Sequence, residues 1–151
     1  PDLEIMVSDQ ATSSPYPDVD AGRWSAGKIQ WAKENDIVSG YPDGNFRPTQ
    51  PVTRAELIAV QNKVATYARK QLGEMGELPS TQTALNFSDT SDHWAATLVS
   101  QMSAYCGVAS PLNEQGTNFA PNQPAKRNYA AAATVRMLDC VMGQETIGLN
   151  Q

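Results

Sequence analysis

The sequence predicts an all-α protein: two tandem helix–loop–helix repeats packed as a small helical bundle with long ordered loops. Three observations predict it. First, one set of motifs occurs twice, at offsets of 70 to 73 residues. Tyr16-Pro17-Asp18 ahead of Trp24 returns as Phe87-Ser88-Asp89 ahead of Trp94, and Asn45-Phe46-Arg47-Pro48 returns as Asn118-Phe119-Ala120-Pro121. Self-similarity at a fixed period marks a repeated supersecondary unit. Second, Thr53-Arg54-Ala55-Glu56 is a capping box, the strongest helix start in the chain. Third, dense Gly/Pro/Asp turn chemistry separates the helical segments. The resulting order is an N-terminal tail over 1–14, a first repeat over 15–70 and a linker over 71–85. A degenerate second repeat over 86–142 and a C-terminal tail over 143–151 complete it.

The first helix is expected from Trp24 to about Asn35. Trp24, Gly27 and Trp31 fall on one face there, and Asp18 and Asp20 are suited to caps or Asx-turns ahead of it. A Trp at a helix start is most often a core anchor with its N–H satisfied, so Trp24 and Trp94 are expected inside, sugar stacking being the other reading. After Ile37-Val38, the run Ser39-Gly40-Tyr41-Pro42-Asp43-Gly44-Asn45 is a turn, Phe46 pins the loop, and Pro48 and Pro51 keep the chain extended. In the second helix, Val52 and Leu57 occupy hydrophobic-staple positions. The expected inner stripe is Leu57, Val60, Val64, Tyr67 and Ala68, with Gln61, Asn62, Lys63 and Arg69 outside. The last helix runs from about Arg127 to Met142 on Ala130, Ala133, Met137 and Val141, and Lys126 and Tyr129 replace the capping pair there. Cys106 and Cys140, near the ends of two helices of one hairpin, are either a disulfide or two buried thiols.

Composition excludes several functions. Apolar residues make up 40% and charged residues 18%, enough for a core and unlike a disordered chain. A net charge of −5 provides no basic face for nucleic acid. No apolar run approaches the roughly 20 residues needed to span a bilayer. One histidine and two cysteines cannot build a zinc site, and the spacing of Asp18, Asp20, Asp43 and Asn45 does not fit a calcium loop, so no metal and no cofactor are expected. Asp89 and Asp92 beside His93 read as caps rather than as a glycosidase pair. With no nucleophile elbow, P-loop or dinucleotide fingerprint, the chain is expected not to be an enzyme. The chain starts at Pro1, which points to a processed product whose signal peptide would not be seen.

The first copy resembles the S-layer homology family. It carries Tyr16, Asp18 and Trp24, then Ile37-Val38-Ser39-Gly40-Tyr41-Pro42-Asp43-Gly44-Asn45-Phe46-Arg47-Pro48, then Thr53-Arg54-Ala55-Glu56. The second copy keeps Phe87, Asp89, His93-Trp94-Ala95, Gly107-Val108, Phe119, Pro121 and Arg127 but has Ser110-Pro111-Leu112-Asn113-Glu114 in place of the Gly-Tyr-x-Asp-Gly loop. The resemblance covers about 110 of the 151 residues. It implies a non-catalytic module that anchors exported proteins in the cell envelope, at the cell surface, in an S-layer or in the periplasm. The implied ligand is a secondary cell-wall polysaccharide attached to peptidoglycan, often with acidic ketal-pyruvate groups. Three copies commonly pack together in that family, with ligand in grooves between them; two are visible here.

Arg54 carries the chemistry of this reading. A cation at a helix N-terminus opposes the macrodipole at about 0.3–1 kcal/mol, so capping explains Thr53 and Glu56 but not the Arg between them. An Arg beside free helix N–H groups is an anion site. The competing reading is a bridge to Asp18, Asp43 or Glu56. On the anion reading, Arg54→Ala should lose binding while the thermal midpoint stays within a few degrees. Ligand-binding candidates are Arg54, Tyr41, Gly40, Trp24, Asp43, Arg127 and Trp94. The groove would be lined by the helix-start Arg and the Gly-Tyr-Pro-Asp-Gly loop. Two alternatives stand beside it: an interaction or self-assembly module of an envelope protein, and an appendage of a larger exported enzyme or porin.

Overall fold

The computed structural model describes residues 4–148. It is all-α: α1 is Ala26–Glu34, α2 Arg54–Gln71, α3 Ala96–Ala104 and α4 Arg127–Gly148, with a single 3-10 turn at Leu112–Glu114 and no strand among the described residues. The chain forms two compact units, Pro1–Gln50 and Pro51–Gln151.

In the first unit, α1 packs Ala26 and Ile29 against Tyr16 and Val19, with Phe46 over them. No side chain caps α1. Asp20 makes the expected Asx-turn, its Oδ1 accepting from Gly22 N at 2.7 Å. Asp18 does something else: its two oxygens accept the amides of Phe46 at 2.9 Å and Arg47 at 2.7 Å, 28 and 29 residues away. This clamps a loop in which Arg47 takes φ 59°. Trp24 lies ahead of the helix and is 80% exposed, and Trp94 is 68% exposed, so the core-anchor expectation fails for both. The reason is visible in the first unit. The face of α1 at Gly27 is taken by main chain, where a Cβ would collide with the Ser8 carbonyl. No room remains there for an indole.

Asp18 yields a pH prediction. The Phe46 amide, first among its partners, holds its carboxyl below the ordinary range. A carboxyl depressed in the folded state stabilises above its unfolded value, near about 4, and that contribution is lost as pH falls through the folded value. On acidification the Phe46 and Arg47 amide resonances should therefore move together, with a midpoint below that of an exposed aspartate.

The second unit is a three-helix bundle in which α2 packs against both α3 and α4. The capping box is formed: Glu56 N donates to Thr53 Oγ1 at 3.1 Å and Thr53 N to Glu56 Oε1 at 3.0 Å. The stripe of α2 is rotated from expectation. Ile58, Gln61, Ala65 and Ala68 are buried, while Leu57 and Val64 are half-buried at the rim. Contact on two sides is the cause. Gln61 Nε2 donates to Thr134 Oγ1 of α4 at 2.9 Å, and Asn62 Nδ2 reaches Met102 Sδ of α3 at 3.5 Å. Arg69, expected outside, pairs with Glu74 at 2.7 Å and is largely buried. On α4, Ala133, Met137 and Val141 are buried as expected. Cys106 and Cys140 are disulfide-bonded, which decides between the two sequence readings.

Asp89 repeats the part of Asp18. It accepts the amides of Phe119 at 2.9 Å and Ala120 at 2.8 Å, and Ala120 has φ 56°. The aromatic-x-Asp motif thus reads as a loop clamp in each unit rather than as a helix cap. The two aromatics of each motif pair also meet, Tyr16 with Phe46 at 5.2 Å and Phe87 with Phe119 at 5.3 Å between ring centroids.

Candidate functional site

Within the first unit the candidate residues make a self-contained turn. Gly40 takes φ 77°, and a Cβ there would sit 2.8 Å from the Tyr16 ring. Tyr41 N donates to Asn45 O at 2.8 Å, and the Arg47 guanidinium lies 3.9 Å over the Tyr41 ring. Asp43 accepts Asn45 N at 2.9 Å and Arg47 Nη2 at 3.2 Å. These contacts, the amide first, hold its carboxyl below the ordinary range. Tyr41 and Asp43 are therefore engaged within their own loop, Asp43 at its exposed surface, and Trp24 stands well out in solvent.

Within the second unit, Arg54 has neither the free helix amides nor the carboxylate bridge that the sequence suggested. Its flanking amides are not free: Arg54 N donates to Gln123 O at 2.8 Å and Ala55 N to Pro121 O at 3.0 Å. No carboxylate bridges it among the described residues. Instead Nε donates to Phe119 O at 2.7 Å and Nη2 to Ser110 O at 2.8 Å. The guanidinium stacks 3.8 Å from the Tyr129 ring centroid and 4.8 Å from that of Phe119. Arg54 is 3% exposed. Burial lowers its pKa from the ordinary arginine value, and burial likewise raises that of Tyr129, whose hydroxyl donates to Val108 O at 3.0 Å.

A cleft of about 200 Å3 opens over this arginine. α2 supplies Arg54; the turn supplies Leu112, Asn113 and Glu114; Gln123, Pro124 and Lys126 lead into α4, which supplies Asn128, Tyr129, Ala132 and Arg136. Three cations line it against one acid, in a chain whose net charge is −5. Two terms make the cleft anion-attracting. Carbonyl dipoles and ring faces solvate the Arg54 charge without cancelling it. The α4 N-terminus adds its positive end, with no acidic residue in its first turn.

Of the sequence candidates, Arg54 lines this cleft, whereas Arg127 and Trp94 are exposed outside it. Trp94 tilts against His93 at 5.2 Å, whose Nδ1 accepts from Ala95 N and whose Nε2 meets Asn122 Oδ1 at 2.8 Å. Sequence reasoning missed Lys126, Tyr129, Arg136 and Glu114. For the first two a signal existed, since Lys126 and Tyr129 stand where the first copy has its capping pair. A substitution that removes a cap needs another use, and here it supplies a cation and a ring under Arg54. Arg136 lies seven residues beyond Tyr129, two turns along the same helix face.

Residues 15–58 match the family model described as S-layer homology domain. Cell surface glycoprotein 1 of Acetivibrio thermocellus is 32% identical over 131 residues, 85% of this chain and 5% of that protein. The cellulosome-anchoring protein of the same organism is 28% identical over 129 residues, 85% of this chain and 27% of that protein. S-layer protein EA1 of Bacillus anthracis is 26% identical over 126 residues, 83% of this chain and 13% of that protein. The chain thus spans about a quarter or less of these relatives. No solved structure matches.

Proposed function

From the S-layer homology domain that residues 15–58 form, we propose that this chain is a non-catalytic module that anchors an exported protein in the cell envelope. Its ligand is an acidic secondary polysaccharide attached to peptidoglycan. The repeat limits of 15–70 and 86–142 belong to this reading. The matching clamps of Asp18 on Phe46 and Arg47 and of Asp89 on Phe119 and Ala120 support them.

One observation carries the ligand assignment. Arg54 is a nearly fully buried cation with no carboxylate partner among the described residues, at the floor of a cleft that Lys126 and Arg136 flank. A sugar carboxylate entering the cleft meets fixed positive charge at close range, and charge-assisted bonds of this type are stronger than neutral ones. The exposed indoles of Trp24 and Trp94 offer flat faces for sugar rings.

The test uses Lys126, whose side chain lines the cleft and is exposed, so its removal spares the fold. Lys126→Ala is expected to weaken binding to polysaccharide-bearing sacculi by about five- to tenfold, the worth of one charge-assisted contact. The thermal midpoint should not move. Sacculi stripped of the polysaccharide should bind neither protein. Undiminished binding by Lys126→Ala, or equal binding to stripped sacculi, refutes the assignment.

An interaction or self-assembly role is the second reading, and α4 favours it. Ala131, Val135, Leu138 and Met142 form an exposed apolar stripe, the last three 56%, 49% and 50% exposed. Their 4-3-4 spacing is that of a coiled-coil seam. A strictly monomeric mass by light scattering at high concentration removes self-assembly.

A further inference from the structure

Building on the anion-binding reading of the cleft, we infer that Glu114 is a built-in competitor that lowers the cleft's affinity for anions: its carboxylate holds Arg136 while the cleft is empty, and an incoming carboxylate displaces it. Glu114 is the one acid among the cleft's lining residues. Its Oε1 accepts both Ser110 Oγ at 2.8 Å and Arg136 Nη1 at 3.0 Å. Arg136 Nη1 also donates to Ser110 Oγ at 3.1 Å, and the Ser110 carbonyl is the acceptor of Arg54 Nη2. Ser110 therefore joins the buried cation, the half-exposed cation and the acid in one network.

Two further observations separate this from an ordinary surface ion pair. Asn113 and Glu114 take φ 54° and 60°, consecutive left-handed residues that are not glycine, so the backbone adopts an unfavoured shape where it delivers this carboxylate. The acid of the first unit's corresponding loop behaves differently. Asp43 pairs with Arg47, four residues away, within its own loop. The Arg136 and Glu114 side chains are 35% and 50% exposed, so solvent screens the pair and an anion can displace it. The groups facing Glu114 are Arg136 and Tyr129 from α4, Arg54 from α2 and Ser110 from its own loop, with Lys126 on the same cleft wall.

Sodium pyruvate at constant ionic strength is the probe, followed through the side-chain N–H resonances of Arg54 and Arg136. Glu114→Gln keeps an acceptor oxygen but removes the competing charge. It is expected to tighten pyruvate binding about two- to fivefold, the range of an exposed ion pair. In an Arg136→Gln background the same change should have a smaller effect, because the pair it breaks is already gone. An equal or weaker response in Glu114→Gln, including none, overturns the inference; so does an undiminished effect in the Arg136→Gln background. Sacculi binding is scored separately. Failure there with the pyruvate difference intact removes the cell-wall assignment and leaves the competitor role standing.

Discussion

Replacing Arg54 with methionine is expected to destabilise the Pro51–Gln151 unit by about 2–4 kcal/mol, and not merely to abolish binding. Two opposing effects set the size. The change strands the carbonyls of Phe119 and Ser110, each of which loses a bond from a charged donor worth about 1.5–3 kcal/mol. Contact between the cation and the Tyr129 and Phe119 faces is lost as well. Against this, removing a buried charge recovers its desolvation cost, the leading cause of the lowered Arg54 pKa. The loss outweighs the recovery because both carbonyls belong to buried residues, Phe119 and Ser110, and the methionine side chain carries no donor to replace the guanidinium. For a unit of this size, 3 kcal/mol corresponds to roughly 12–24 °C in thermal midpoint. Arg54→Lys should fall between, since one ammonium lacks the planar fork that serves two carbonyls and two rings at once. A thermal midpoint of Arg54→Met within a few degrees of wild type would show that the carbonyls find other partners.

Opening the Cys106–Cys140 bridge should cost a comparable amount. The bridge closes a loop of 34 residues that joins the chain just after α3 to α4. Loop-closure entropy for that length gives about 3–4 kcal/mol. Cys106→Ser with Cys140→Ser, measured by urea denaturation, should lower the transition midpoint by a corresponding amount. The same shift should appear when the wild type is treated with a reductant, and only then. An unchanged midpoint in both experiments would mean that the closed loop is already restrained by the packing of α3 and α4. The location matters. α4 lacks the Thr-x-x-Glu cap that α2 has and begins at Arg127, directly after Lys126. A covalent tie from within α4, well beyond its first turn, offsets part of what a cap would have supplied at its start.

Both predictions rest on contacts between residues far apart in the chain. What could be read from the sequence was local. The Thr53–Glu56 capping box forms as expected because its partners are three residues apart and depend only on helical geometry. Turn residues at 40–44, the buried positions Ala133, Met137 and Val141, and the all-α class follow from similarly short-range patterns. Spacing alone could not give the rotation of α2 about its axis. That depends on α3 and α4 arriving from two sides, which buries Gln61 and leaves Leu57 at the rim. Nor could it give the exposure of Trp24. The main chain that displaces it from the Gly27 face belongs to residues 8–9, and nothing in the helix itself announces them.

The site divides along the same line. By itself the sequence determined that an arginine stands at the start of α2 beside a capping pair, and that one set of motifs occurs twice along the chain. Periodicity, caps and repeats are properties of neighbours along the chain. Only the tertiary structure decided what that arginine touches. Its carbonyl partners lie 56 and 65 residues away, and the rings that sandwich it are those of Phe119 and of Tyr129 in α4. A buried cation's meaning is set by the dipoles and charges within a few ångströms of it, and those are brought there by packing, which no short window of sequence contains.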